Sequence, residues 1–172
     1  MNYLKRILLS FILFFQFGNS FSQIHEELLS FESGNPFSLN DIIDNLENQE
    51  KQTVYGKLKI PIDTNNLEKK YPLIIGVAGS LDWADHHYEY LKMYRKMGIA
   101  TFELNSFKSR EVSSTVGSQV EVTIASMILD SYIAFEKLSN HPMIIKEKIS
   151  ITGWSLGGGV TLFSAWLPIR NA

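Results

Sequence analysis

Gly153, Ser155 and Gly157 stand in the order Gly-x-Ser-x-Gly within Ile149-Ser150-Ile151-Thr152-Gly153-Trp154-Ser155-Leu156-Gly157-Gly158-Gly159. A serine hydroxyl becomes a usable nucleophile when a tight strand-to-helix turn holds it above the sheet, and this is the context that Gly-x-Ser-x-Gly needs. The β-branched run before Gly153 reads as the strand and the residues after Ser155 as the helix. Gly153 and Gly157 are then glycines because strand and helix approach closely around the turn. Leu156 opens the helix, so its N–H is placed for a developing oxyanion, with the helix dipole adding to it. Gly158 and Gly159 cost about 1 kcal/mol each inside a helix relative to alanine, so a packing reason is expected for both. The same glycines do not form a phosphate loop, because Gly159 stands where that motif requires lysine.

A second segment, Gly76-Val77-Ala78-Gly79-Ser80-Leu81-Asp82-Trp83, follows a buried apolar run. Ser80 is the expected donor of a second oxyanion N–H, with Leu81 next. Trp83 and Trp154 flank the two segments, as walls of an apolar pocket or as core. The residues that should activate the serine are harder to find. The 17 residues after Ser155 contain no Asp, Glu or His, and a serine without a base is a poor nucleophile. His86 and His87 precede it at a helix start and His141 at a helix end; all three read as surface or loop histidines. Arg110, with Ser113, Ser114 and Thr115, lies in a polar loop that reads as solvated, or as touching substrate at the strand ends.

The elements that must position these residues follow from periodicity. Thr53–Ile60 reads as an edge strand stopped by Pro61. The continuous apolar run Leu73–Ala78 suits a strand buried on both faces. His86–Met97 is a helix stopped by Gly98, and Ile99–Leu104 is a strand. A loop follows over 105–118. Val120–Leu138 is the strongest helix, with Ile124, Met127, Ile128, Ser131, Tyr132 and Phe135 on one face. Lys148–Thr152 is a strand, and Leu156–Leu167 a helix ended by Pro168. This alternation predicts an α/β fold, a mostly parallel sheet with helices on both faces.

Residues 1–22 carry Lys5 and Arg6, an apolar stretch Ile7–Phe15 and the small-residue run before Gln23. This is the order of a cleavable signal peptide, and it predicts a secreted or periplasmic protein. The apolar stretch is shorter than a bilayer span, so no stable membrane anchor is expected. Removing these residues takes away two positive charges, so a net charge of −2 becomes −4. Residues 23–50, polar and carrying Gly34, Asn35 and Pro36, read as a leader over the domain surface, with a short helix over Leu39–Leu46; residues 51–172 form the domain. Of the whole chain, 45% is hydrophobic and 20% charged, which fits a globular protein rather than a disordered one. With no basic excess, nucleic-acid binding is not expected. The chain has no cysteine, which excludes disulfides, thiolate metal sites and a cysteine nucleophile. Neither a metal nor a cofactor is expected.

From Tyr55 to Trp166 the chain resembles the dienelactone hydrolase family of α/β-hydrolases. The resemblance rests on Tyr55-Gly56-Lys57-Leu58, Gly79-Ser80 with Asp82-Trp83, Met97-Gly98-Ile99-Ala100-Thr101-Phe102 and Gly153-Trp154-Ser155-Leu156-Gly157-Gly158. It implies a hydrolase of ester or lactone bonds in a small-molecule substrate, with Ser155 as nucleophile and Leu156 and Ser80 as oxyanion donors. Ala78 stands where family members carry histidine, and serine replaces the cysteine of the enzymes that name the family. The fold's triad runs serine, acid, histidine along the chain, so the acid and base, and two or more strands, are expected in a carboxy-terminal part beyond this chain. Two alternatives remain: a non-catalytic pseudohydrolase or fragment binding a ligand or partner, and a prolyl oligopeptidase-type peptidase.

Overall fold

The computed structural model describes residues 23–171; the expected signal peptide lies outside the described residues. Five strands form one mixed sheet: β1 (Gln23–Gly34), β2 (Lys51–Ile62), β3 (Tyr71–Val77), β4 (Ala100–Leu104) and β5 (Ile144–Gly153). Their spatial order is β1-β2-β4-β3-β5. The pairs β1/β2 and β2/β4 are antiparallel, while β4/β3 and β3/β5 are parallel. Five helices accompany them: α1 (Leu39–Asp44), α2 (Asp85–Lys96), α3 (Ile124–Ser139), α4 (Leu156–Phe163) and α5 (Leu167–Arg170).

The expected α/β architecture is therefore present, with one strand more than the periodicity showed, but the sheet is mixed rather than mostly parallel, because β2 runs antiparallel to both of its neighbours. Residues 23–34 are not a leader over the surface but β1, paired with β2 from Gln23↔Ile62 to Gly34↔Lys51. Leu29 and Phe31 alternate inward against the core while Glu26, Leu28, Ser30 and Glu32 face out. An edge strand buries only one side, so charged residues on the other do not disqualify it. In turn β2 is an interior strand. Pro61 does not stop it, because β4 pairs with β2 only over Gly56–Lys59, leaving Pro61 with a single neighbouring strand.

The core lies largely between the sheet and α3. Leu58, Leu73, Ile75, Phe102, Met127, Ile128 and Leu138 are fully buried there. On the opposite face α2 packs over Gly76, where a Cβ would lie 2.9 Å from the Trp83 ring and 3.2 Å from Leu91. A glycine at this place lets the aromatic ring lie against the strand.

Two helix boundaries differ from the periodic reading, each for a local reason. Thr123 Oγ1 accepts the Ser126 N–H at 3.0 Å, and Ser126 Oγ accepts the Thr123 N–H at 3.1 Å. This reciprocal cap starts α3 at Ile124 rather than Val120. Phe135, expected on its inner face, is 41% exposed. The helix after the elbow ends at Phe163, where Ser164 Oγ bonds the Val160 carbonyl. Pro168 does not end that helix; it opens α5, in whose first turn its missing N–H costs nothing.

Candidate functional site

Ser155 is the junction between β5 and α4, with φ 51° and ψ −114°. An L-residue at positive φ is strained, and the surroundings enforce it. A Cβ on Gly153 would lie 2.0 Å from the Gly157 carbonyl oxygen, and a Cβ on Gly157 2.3 Å from that of Val77. No side chain fits at either position while the strand and helix keep this distance. The turn is closed by Gly157 N–H to Trp154 O at 2.9 Å and by Gly158 N–H to Ser155 O at 2.9 Å. Ser155 itself is exposed.

Leu156 is the first residue of α4, ahead of the intrahelical hydrogen-bond ladder. The loop after β3 lies beside it: a Cβ on Gly79 would sit 3.1 Å from Trp154 O and 3.4 Å from Ser155 Cβ. Ser80 and Ser155 thus stand on loops leaving two neighbouring parallel strands, β3 and β5. The β3 loop leads to α2 on one face of the sheet and the elbow to α4 on the face that carries α3. A crevice opens where adjacent strands send their connections to opposite faces, the usual ligand position in open α/β sheets.

The Ser80 loop is held from outside. The Thr115 N–H donates to Ser80 O at 2.8 Å, and Lys108 Nζ lies 3.6 Å from Asp82 Oδ2. The loop over 105–118 that supplies these contacts is not a solvated loop around Arg110. The Arg110 side chain is 4% exposed and pairs with Asp130, which is fully buried. Its five donors are all used, on Asp130 Oδ1 and Oδ2, Asn35 Oδ1, Gly34 O and Ser106 O. Arg110 is therefore occupied inside the protein and not presented to a substrate. The signal that could have revealed this was Asp130 itself, a lone acid directly after the apolar run Met127-Ile128-Leu129.

The histidines divide. His86 is exposed, but His87 is 4% exposed and packs on the elbow rather than lying on the surface. Its ring stacks on Trp154 at 4.6 Å between centroids, and Trp83 meets Trp154 edge-on at 5.8 Å. Burial, and then the neighbouring His86, push the His87 imidazole below its ordinary value, while Asp82 pulls it up. His141 is also largely buried, with Nε2 3.2 Å from Glu27 Oε2 and Nδ1 accepting the Met143 N–H. Among the described residues no histidine or carboxylate hydrogen-bonds Ser155. Trp83 donates Nε1–H to Leu104 O at 2.9 Å and stacks on Tyr88. Both tryptophans thus pack under the loops instead of walling an open pocket. Burial, then Glu103, Asp82 and Asp85, push the Tyr88 phenol up to about 12.

Of the two glycines expected to serve packing, Gly158 has only open contact, its nearest neighbour for a Cβ being Gly153 O at 3.6 Å. Gly159 lies against the Ile124 side chain at 3.3 Å. An apolar groove of about 520 Å³ lies elsewhere, beside the free edge of β5, between Ile149, Ile151, Phe135 and Ala165. Ser155 does not line it. Among the described residues no group of three or more His, Cys, Asp or Glu could hold a metal ion.

No sequence-family model matches the chain, and no curated protein matches it in sequence. Solved structures do match in shape. A dienelactone hydrolase-like promiscuous phosphotriesterase from metagenomic libraries superposes with a TM-score of 0.55 at 12% identity, over 80% of this chain and 54% of that one. A dienelactone hydrolase from Anabaena variabilis gives 0.55 at 16% identity, over 83% and 57%. A CE15 glucuronoyl esterase from Teredinibacter turnerae gives 0.53 at 10% identity, over 86% and 39%. The chain spans about half the length of the dienelactone hydrolase structures it matches. Its five-stranded sheet with the strained serine turn has the α/β-hydrolase fold, and its structural neighbours include dienelactone hydrolase-like proteins.

Proposed function

We propose that this chain carries the nucleophile half of an exported serine hydrolase of dienelactone hydrolase type, acting on ester or lactone bonds of a small molecule. The observation that carries the reading is the backbone of Ser155, held at φ 51° by two glycine positions that admit no side chain. Strain of this kind persists only where the surroundings over-determine it, and it clusters at functional sites. Ser155 Oγ attacks the carbonyl carbon, and the Leu156 and Ser80 N–H groups hold the resulting oxyanion. The acid and the base come from outside the 17 residues that follow Ser155, which contain neither. Export rests on the charged, apolar and small-residue order of residues 1–22.

The test is hydrolysis of p-nitrophenyl acetate by the full chain, by its Ser155→Ala variant, and by a form extended with strands bearing an Asp and a His. The chain alone is expected to be slow. The extended form should gain roughly 10²–10⁴-fold, the usual contribution of general-base assistance, and Ser155→Ala should abolish the gain. A gain that survives Ser155→Ala overturns Ser155 as the nucleophile, and no gain in a folded extended form overturns the reading in favour of a ligand-binding pseudohydrolase. Fast turnover by the chain alone that is lost in Ser155→Ala would place the base among its own histidines. Mass spectrometry of the protein recovered from its host should find Gln23 at the amino terminus; intact Met1 on a cytoplasmic protein would refute export.

A further inference from the structure

His87 sits in the first turn of α2, yet its ring leaves the helix surface for the elbow. Nδ1 accepts the Ala84 N–H at 3.1 Å, which leaves the proton of the neutral ring on Nε2. The ring is stacked on Trp154 at 4.6 Å with an interplanar angle of 28°, and Trp83 meets it edge-on at 5.8 Å. Trp154 is the residue immediately before Ser155. Its N–H donates to Val77 O at 3.2 Å and its carbonyl accepts the Gly157 N–H at 2.9 Å. One residue therefore has its side chain held by His87 and its backbone closing the strained turn.

We propose that His87 is a positioning residue for the elbow: its neutral ring clamps Trp154 against α2, and protonation of that ring releases the clamp. The consequence for catalysis rests on the reading of Ser155 as nucleophile; the clamp itself does not. A protonated ring carries N–H on both nitrogens, so Nδ1 can no longer accept the Ala84 N–H and two donors would face each other.

The charges around the ring pull in different directions. On its own helix, the His86 ring lies 4.0 Å away and opposes a second cation, while Asp85 stands in the same turn. From the β3 loop Asp82 favours the cation, but it is shared with Lys108 at 3.6 Å. The elbow contributes the Trp154 face, which attracts cations. Tyr88 and Tyr90 border the same aromatic cluster. Burial outweighs these contributions and, with His86, keeps the ring neutral to lower pH than a free histidine.

Tryptophan emission of the full chain, followed from about pH 8 to about pH 4 beside far-ultraviolet circular dichroism, tests the clamp. The expected result is a one-proton emission transition with a midpoint below that of free histidine, about 6.5, at unchanged circular dichroism. Trp83→Phe, which leaves Trp154 as the reporter beside the ring, should keep the transition. His87→Gln should abolish it, because the amide still accepts the Ala84 N–H but does not titrate. Persistence of the transition in His87→Gln overturns the proposal. So does its absence in a folded chain, or its coincidence with loss of the circular dichroism signal. The same transition should remain in Ser155→Ala, so failure of the hydrolase reading and failure of the clamp are separately visible.

Discussion

Arg110 and Asp130 form a buried two-point ion pair, with Nη1 2.8 Å from Oδ2 and Nη2 3.0 Å from Oδ1. Around this pair three parts of the chain converge. Ser33 Oγ, from the end of β1, donates to Asp130 Oδ1 at 2.6 Å, and Arg110 also bonds Gly34 O and Asn35 Oδ1. The pair therefore fixes the loop after β4 both to α3 and to the end of the edge strand. Through the Thr115 N–H on Ser80 O, the same loop supports the proposed oxyanion segment.

Removing one partner of this pair should be expensive. Arg110→Met leaves the Asp130 carboxylate buried without a counter-charge, a change that costs about 3–5 kcal/mol. Urea unfolding should show that loss, whereas Arg110→Met combined with Asp130→Leu should recover much of it. A single variant within 1 kcal/mol of the parent would show that the pair does not organise the loop.

The elbow glycines should differ sharply in tolerance. Gly157→Ala places a methyl 2.3 Å from Val77 O, and a backbone clash of that size predicts a loss of roughly 3 kcal/mol, at the upper end of common single-residue effects. Gly158→Ala meets only ordinary contact and should be neutral or stabilise by up to about 1 kcal/mol through helix propensity. Thermal unfolding of the two variants decides this, and equal midpoints would contradict the packing described.

Acid should destabilise the fold through His87. Its imidazole lies below the ordinary histidine value in the folded chain, so below about pH 6.5 the unfolded chain takes up a proton that the folded one refuses. Stability should thus be complete above that pH, decline as pH falls from there towards the folded-state value, and then level off. His87→Gln should flatten this part of the stability profile measured by urea unfolding.

Alkali should act through Tyr88. With its phenol pushed up to about 12 against an ordinary value near 10, the folded chain keeps a proton that the unfolded chain has lost. The contribution is fully present below pH 10 and disappears as pH rises through about 12. Burial also raises the Tyr132 phenol, so absorbance near 295 nm should show late-titrating phenols, of which Tyr88→Phe removes one.

The sequence by itself determined the elements whose signals are local. Gly-x-Ser-x-Gly after a β-branched run located the elbow at Ser155, because strand, turn and helix each announce themselves within a few residues. The uninterrupted apolar run Leu73–Ala78 likewise implied a strand covered on both faces, and β3 has Trp83 and Leu91 over Gly76 on one face and the core under α3 on the other. Other features were chosen by partners far along the chain. Residues 23–34 became β1 because β2 offered an open edge, and their glutamates conceal a two-residue alternation that only Leu29 and Phe31 betray. Arg110 went inward because Asp130, Asn35 Oδ1 and the carbonyls of Gly34 and Ser106 together satisfy every guanidinium donor; no local pattern encodes that convergence. His87 was buried by two tryptophans from separate loops. Short-range periodicity records which face of an element is apolar, whereas the burial of a polar side chain depends on which long-range partners fold around it.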